Sequence, residues 1–385
     1  MFDTVKNLLS SRDRDAEFQN HWEILRKKSP VPVFWLLGKT QSGKTSIIRF
    51  LTGAEDAEIG EGFRPCTRFS RQYQFPAAEA PLLTFLDTRG LDEPGYDPTV
   101  DLAQFNHQAH VIVVTVKVLD QAQENLLKQL TVIRQAQTAR PVVLALTCLH
   151  EAYPQQQHIQ PYPFEIGIES REAPEDLRRS LLEQKRRFES LVDVVVPIDL
   201  TRPEEGFSDA NYGGARLKQV LLEVLPKAYR QTLMTLDEVP RDLADRLSRR
   251  ALPYIIGYSS LAATTGAIPI PWVDLLVLPG IQSRMIFHLA KLYGQPLSGT
   301  RFLEMTGTLG LGMVMRQAVR EVAKLIPYIG SVAGAALAGA STYALGKAFC
   351  FYFKAVHQGH VPSPEEIRHY YRDQLHQAER FWKPL

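Results

Sequence analysis

The stretch Gly38-Lys39-Thr40-Gln41-Ser42-Gly43-Lys44-Thr45 places two glycines with four residues between them, then Lys and Thr. Glycines at those positions let the backbone wind tightly enough for successive N–H groups to point inward at a phosphate. A helix starting near Lys44 and running on through Ser46 would add the positive end of its dipole. Lys44 would then reach the β- and γ-phosphates of a nucleoside triphosphate and Thr45 would offer its hydroxyl to Mg²⁺.

A second group of residues answers to the same chemistry. Asp87-Thr88-Arg89-Gly90 follows an apolar run, so Asp87 would hold Mg²⁺ through water. Gly90 would give its backbone N–H to the γ-phosphate without side-chain interference. Thr67, at the end of a Gly-, Glu- and Asp-rich stretch from Thr52 to Cys66 that reads as a mobile loop, would meet Mg²⁺ with its hydroxyl and the γ-phosphate with its N–H. Such a loop is ordered only while that phosphate is present. Thr147 and Asp199, each at the end of a further apolar run, would converge with Gly38 and Asp87 where the nucleotide sits.

The elements that must position these residues follow from periodicity. Val31 to Leu37 reads as a strand and Ser46 to Leu51 as a helix, so strand, loop and helix come in the required order. Strands follow at Arg68 to Phe75, Leu82 to Leu86, His110 to Val118, Val142 to Leu146 and Val192 to Ile198. Helices fall at Gln121 to Gln137, Pro174 to Ser190 and Gly213 to Leu225. This alternation predicts an α/β domain with a mostly parallel sheet covered on both faces, its ligand at the carboxyl ends of the strands. The expected domain spans residues 31–226, preceded by an amphipathic helical segment, residues 1–30, in which Phe2, Val5, Leu8 and Leu9 could form an apolar face.

Composition narrows the partners. Of 385 residues, 45% are apolar and 22% charged, and the net charge is +2, so there is material for two or three domains and no electrostatic case for nucleic acid. Cys66, Cys148 and Cys350 lie far apart, which argues against a zinc site or a disulfide framework and for a reducing cytoplasm. The charged N-terminus does not read as a secretion signal.

Beyond Pro226 a charged helical linker is expected over residues 227–250, then an all-α domain over residues 251–385. Ala251 to Ile281 contains Asp274 as its only charged residue and Leu325 to Gly346 contains none, so both are long enough to span a bilayer. Their strength as spans is low: the second is dominated by Ala, Gly and Ser, and Pro253, Pro269, Pro271 and Pro279 break up the first. Gly330, Gly334 and Ala338 have the small-residue spacing of tight helix crossings, Asp274 suits a helix start, and Gly294 suits its end. Membrane contact and a compact helical bundle are both open at this point.

With these motifs in this order, residues 31 to about 226 resemble the Era-like, translation-factor-related P-loop GTPases. The resemblance implies GTP and GDP as ligands, Mg²⁺ as cofactor, and Gly38 to Ser46, Thr147, Cys148, His150, Asp199 and Leu200 around the nucleotide. Two departures bear on activity. The base-reading carboxylate that relatives carry is replaced by His150, with Glu151 adjacent, and Leu91 follows Gly90 where many relatives place a water-orienting glutamine. Gln41 stands where potassium-using relatives carry asparagine.

In the second half, Ile268-Pro269-Ile270-Pro271-Trp272-Val273-Asp274, Leu292-Tyr293-Gly294 and Ile326-Pro327-Tyr328-Ile329-Gly330-Ser331-Val332 resemble bacterial domain of unknown function 697, over about Ala262 to Phe353. The combination implies a cytoplasmic GTP switch, working at the inner face of the membrane where lipid is its partner, with slow turnover unless an activating protein or a homodimer completes the site. Competing readings are a nucleotide-dependent scaffold with little hydrolysis and, ranked lower, an RNA-associated GTPase.

Overall fold

The computed structural model describes residues 23–24, 29, 31–65, 70–88, 98–105, 108–136, 139–153, 157–226, 229–230, 246–266, 273–295, 332–358, 360 and 362–381. The expected N-terminal amphipathic face, Thr67, Arg89, Gly90, Leu91, Gly330 and most of the 227–250 linker lie outside them. The chain divides into two compact units, one over Pro30–Asp237 and one that includes Glu238–Leu385.

In the first unit, strand β1 (Val33–Leu37) leads through the glycine loop into helix α1 (Lys44–Thr52). Then come α2 (Asp56–Gly62), β2 (Arg64–Pro65), β3 (Ser70–Phe75), β4 (Leu83–Thr88), α3 (Pro98–Phe105) and β5 (Val111–Lys117). The unit continues with α4 (Glu124–Ala136), β6 (Val142–Thr147), α5 (Glu175–Phe188), β7 (Val194–Pro197), β8 (Asp199–Leu200), β9 (Asn211–Tyr212) and α6 (Gly214–Val224). Seven strands form one sheet in the order β2-β3-β4-β1-β5-β6-β7, while β8 and β9 pair separately as an antiparallel ribbon. From β4 to β7 the pairing is parallel; β3 runs antiparallel to β4, and β2 to β3. The chain leaves β1 toward one edge and returns past it to build β5 on the other side, so the end of β1 is where connections diverge and a crevice opens.

Burial explains why these segments are strands. Successive strand side chains face opposite sides of the sheet, so an unbroken apolar run is stable only when both faces are covered. Phe34, Trp35, Leu36 and Leu37 are all fully buried, as are Val111, Val114, Val143, Leu144 and Leu146. One face packs Trp35, Leu37, Val114, Val116, Leu144 and Leu146 against Phe105, Leu126, Leu130, Leu177 and Leu181. On the other, Phe34 stacks on Phe85 with ring centroids 5.6 Å apart.

Three local expectations need correction. The Thr52 to Cys66 stretch contains α2 and β2, since Ile59 is fully buried and Phe63 packs on Tyr73 with ring centroids 5.6 Å apart. Here the burial of Ile59 outweighs the poor helix propensity of the glycines. Helix α3 was not foreseen, although its Asp101 is buried and Thr88 Oγ1 lies 3.4 Å from it. Nor was the β8–β9 ribbon, whose two-residue strands are too short for any periodicity.

The second unit contains α7 (Arg246–Gly266), α8 (Val273–Leu292), α9 (Val332–His357) and α10 (Pro364–Phe381). Helix α7 packs on α8 and α9, and α9 on α10. Pro253 lies inside α7 and does not break it, contrary to the sequence expectation. Asp274 is the second residue of the described part of α8. Gly294 ends α8 as expected: it has φ 69°, its N–H donates to Lys291 O at 3.1 Å, and Gln295 N–H reaches Ala290 O at 2.8 Å.

Among the described residues, no helix is long and apolar enough to cross a membrane. Apolar surface is spent between helices, and polar groups join them: Tyr258 hydroxyl pairs with His288 Nδ1 at 2.8 Å and Gln282 Nε2 donates to the buried Thr342 hydroxyl at 3.2 Å. Burial also holds Lys347 below the ordinary lysine range. Helix α9 closely approaches α7 and α8 at Gly346, where a Cβ would stand 2.8 Å from Ile255 Cγ1 and 3.1 Å from Met285 Sδ. This close contact lies at Gly346, whereas the Gly330, Gly334 and Ala338 spacing begins outside the described residues. We expect Gly346→Leu to overpack this contact and lower the second unit's stability by about 1–3 kcal/mol, read as a lower urea midpoint.

Candidate nucleotide site

The loop after β1 is held from below by side chains of the neighbouring strand. Ser42 is buried, its hydroxyl 2.8 Å from Lys39 O and 2.6 Å from Thr115 Oγ1 on β5. Gly38 lies so close to β5 that a Cβ would overlap Thr115 Oγ1 and come within 2.6 Å of Thr115 O and Ser42 Oγ. Gly43 has φ 94°, the left-handed region, and a Cβ there would stand 3.1 Å from Thr147 Cγ2 at the end of β6. Thr147 hydroxyl in turn donates to Ser42 O at 3.0 Å. Gly38 is thus required by its close approach to β5 and Gly43 by its left-handed backbone.

The loop's charges face inward and sideways. Lys44 Nζ donates to Gly38 O at 2.6 Å and Lys39 O at 2.8 Å, and stands 3.9 Å from Asp87 Oδ1 at the end of β4. Lys39 is turned away from that centre, with Nζ 2.9 Å from Asp120 Oδ2. Burial raises the Asp120 carboxyl, but hydrogen bonds from Lys39 and Ala122 N–H outweigh it and hold the group below its ordinary value. Thr40 and Gln41 are exposed at the tip, Gln41 with φ 59°. Helix α1 opens on Gly43 with no side-chain cap and no acid in its first turn, and Thr45 is exposed there beside Ser46. An uncapped first turn presents unshared N–H groups to an anion.

The donor set suits a magnesium phosphate: an inward ammonium, backbone N–H groups at a helix start, an exposed hydroxyl on Thr45 and the largely buried carboxylate of Asp87. Behind Asp87 the strand end is fixed by Trp35, whose Nε1–H donates to Thr88 Oγ1 at 2.8 Å.

On the other side of the loop lie the residues assigned to the base. Cys148 has φ 54° and turns the chain into a single 3-10 turn over Leu149–Ala152; burial pushes its thiol up to about 11. His150 and Asp199 are brought together: Asp199 Oδ2 accepts from His150 N–H at 2.7 Å and lies 2.7 Å from His150 Nδ1. This hydrogen bond raises the imidazole above its ordinary value. Leu200 O and Thr201 O accept from Arg49 Nη2 at 3.3 Å and 3.0 Å, which ties β8 to α1. Glu151, adjacent to His150, is committed elsewhere, 3.0 Å from Lys117 Nζ.

Thr115 and Asp120 were not singled out from sequence, although they seat the loop. Thr115 is the only polar residue of Val111 to Val116, a signal that was available; Asp120 carried none.

An α/β sheet with a loop of this geometry at its switch point defines a phosphate-binding nucleotide protein. A family model described as 50S ribosome-binding GTPase matches residues 33–148, and one described as Domain of unknown function (DUF697) matches residues 230–380. Magnetosome membrane protein 22 of Magnetospirillum gryphiswaldense is 31% identical over 153 residues, covering 38% of this chain and 75% of its own length. Among solved structures, the G domain of the T. maritima FeoB iron transporter is 17% identical with a TM-score of 0.29, over 50% of this chain and 98% of that one. A probable GTP-binding protein, engB, is 15% identical with a TM-score of 0.31, over 50% and 97%. The chain belongs to the P-loop GTPases, with its GTPase domain followed by a C-terminal DUF697 domain. GTP and GDP, with Mg²⁺, are the ligands this class uses.

Proposed function

We propose that this chain is a GTP-driven switch whose nucleotide domain, residues 31–226, governs the contact of the helical domain, residues 251–385, with a membrane or a partner protein. The observation that carries it is Lys44, whose ammonium is folded onto the loop's own carbonyls within 3.9 Å of Asp87. Exchanging those two carbonyl oxygens for phosphate oxygens would give the amine charge-assisted hydrogen bonds, which are the stronger kind.

In this reading the N–H groups from Gly38 to Ser46 and the Lys44 amine orient the phosphates. Thr45 and Thr67 hydroxyls and the Asp87 carboxylate hold Mg²⁺, the last through water. The ion, when bound, neutralises charge on the β- and γ-phosphoryl oxygens. Gly90 N–H and Thr67 N–H contact the γ-phosphate, so its loss releases both segments. Thr147, Cys148, His150, Asp199 and Leu200 surround the base. Water attacks the γ-phosphoryl slowly in the isolated chain, because Leu91 cannot orient it and an activating protein or a second copy must supply that group. Contact with a membrane agrees with the name of the magnetosome relative, and a cytoplasmic protein at the inner face of that membrane is the setting we propose.

The test is single-turnover GTP hydrolysis by the full chain, with and without Mg²⁺, alone and with vesicles of anionic phospholipid. Mg²⁺-dependent phosphate release, faster with vesicles and accompanied by co-sedimentation of the GTP-loaded form, is expected. Release no faster than in a protein-free blank under every condition refutes the enzyme reading.

A further inference from the structure

We infer that His150, oriented by Asp199, reads the Watson–Crick edge of the guanine base with Nε2 as a hydrogen-bond acceptor. The inference rests on the nucleotide reading above and names how that site selects its base.

The placement follows from the loop. Phosphates seated on Gly38 to Lys44, with the metal on the Asp87 side, leave the nucleoside to extend the opposite way along the carboxyl ends of the strands. The β6 end borders the loop there, since Thr147 hydroxyl reaches Ser42 O at 3.0 Å. Three residues on stands His150, its side chain 26% exposed and its ring 5.1 Å from Phe207. Asp199 is 4% exposed and directed at the imidazole rather than at solvent.

Chemistry then sets the polarity. A buried carboxylate oxygen that already accepts from the His150 backbone N–H can meet Nδ1 at 2.7 Å only if Nδ1 carries a proton. The neutral ring therefore keeps its lone pair on Nε2, to which no residue donates among those described. Guanine presents N1–H and an exocyclic amine, both donors, so an acceptor is what its edge requires. Protonation converts Nε2 into a donor and sets N–H against N–H.

Several charges bear on that protonation. Asp199 on β8 lies against the ring, Glu151 and Glu205 favour the charged form, and the neighbouring His158 opposes it. His158 is itself held below its ordinary value by burial, beside the rings of Phe207 and Tyr212 at 4.7 and 4.4 Å. Acids prevail, so the titration lies above the ordinary histidine value of 6.5. Guanine affinity is low below that titration and rises as pH increases through it; by linkage, guanine nucleotide lowers the imidazole's pKa.

The measurement is the affinity of the full-length protein for GDP and for ADP from pH 5.5 to 9, expressed as their ratio so that phosphate titration cancels. Preference for GDP should grow by about tenfold as pH rises through the His150 titration, the scale of one well-aligned hydrogen bond against an unpaired donor. His150→Asp should keep the preference without the pH dependence, and His150→Phe should lose it. Asp199→Asn, which removes the charge on a positioning residue, should move the midpoint to lower pH. Imidazole ¹⁵N shifts should report the proton on Nδ1 without nucleotide and a lowered pKa with GDP. A ratio flat in pH, or one that falls as pH rises, overturns the acceptor role while leaving the nucleotide site intact. Failure of both GDP and ADP to bind overturns the nucleotide reading and this inference with it.

Discussion

Replacing Lys44 by Ala should abolish measurable GTP turnover while leaving the protein folded. Its amine is the cation at the centre of the loop, donating to Gly38 O and Lys39 O and standing 3.9 Å from Asp87. Losing one preorganised donor to a developing negative charge slows transfer by about 10²–10³-fold. Since the loop also loses its principal phosphate ligand, nucleotide affinity should fall with it. Stability should drop by about 1 kcal/mol, the net scale of one intramolecular hydrogen bond. Isothermal titration with GDP and a urea titration of the same variant separate the two effects. Binding within twofold of wild type would remove Lys44 from the site.

Gly38→Ala should be worse for the fold and equally damaging to binding. The added methyl would overlap Thr115 Oγ1 and press on Thr115 O, which is backbone of the central sheet and has little room to yield. Overpacking of this kind costs about 1–3 kcal/mol, and here the strain displaces the loop itself. We expect a lower urea midpoint together with loss of GDP binding. Thr115→Ser on the Gly38→Ala background removes a methyl but not the offending oxygen, so it should not rescue binding; Thr115→Ala, which removes that oxygen, should recover stability in part.

Much of the nucleotide domain was legible from residue order, and the reason is local. Gly38, Gly43, Lys44 and Thr45 work through backbone conformation and one short reach, so their spacing carries the information. Strands β1, β5 and β6 are buried on both faces, which forces β-branched and apolar runs that few other elements require. Helix α2 was hidden because its stability comes from Ile59 meeting the sheet, an event with no trace in the propensities of Gly60 and Gly62. Helix α3 was hidden too, since its Asp101 is buried against Thr88 and reads from sequence as a surface acid.

The surroundings of His150 were not legible. His150 looked like the loss of a carboxylate, and the structure pairs its ring with Asp199, 49 residues later. No short-range pattern encodes such a pairing, because it depends on β6 and β7 ending side by side, with Leu146 opposite Pro197. In the helical unit, Pro253 misled for a related reason: a proline that breaks an isolated helix is tolerated when neighbouring helices hold both halves in line.

The strand order has a consequence for synthesis. Strand β1 leaves the ribosome before either neighbour, yet it pairs only with β4 and β5, the second of which is complete at Lys117, about eighty residues later. At about 5–20 residues per second, the β5-facing edge of Val33 to Leu37 waits several seconds unmatched. Such a segment is aggregation-prone and suited to holding by chaperones, and the phosphate loop it carries cannot take shape until Thr115 has been made. Nucleotide affinity is thus acquired late and in one step, when the middle of the sheet closes around its oldest strand.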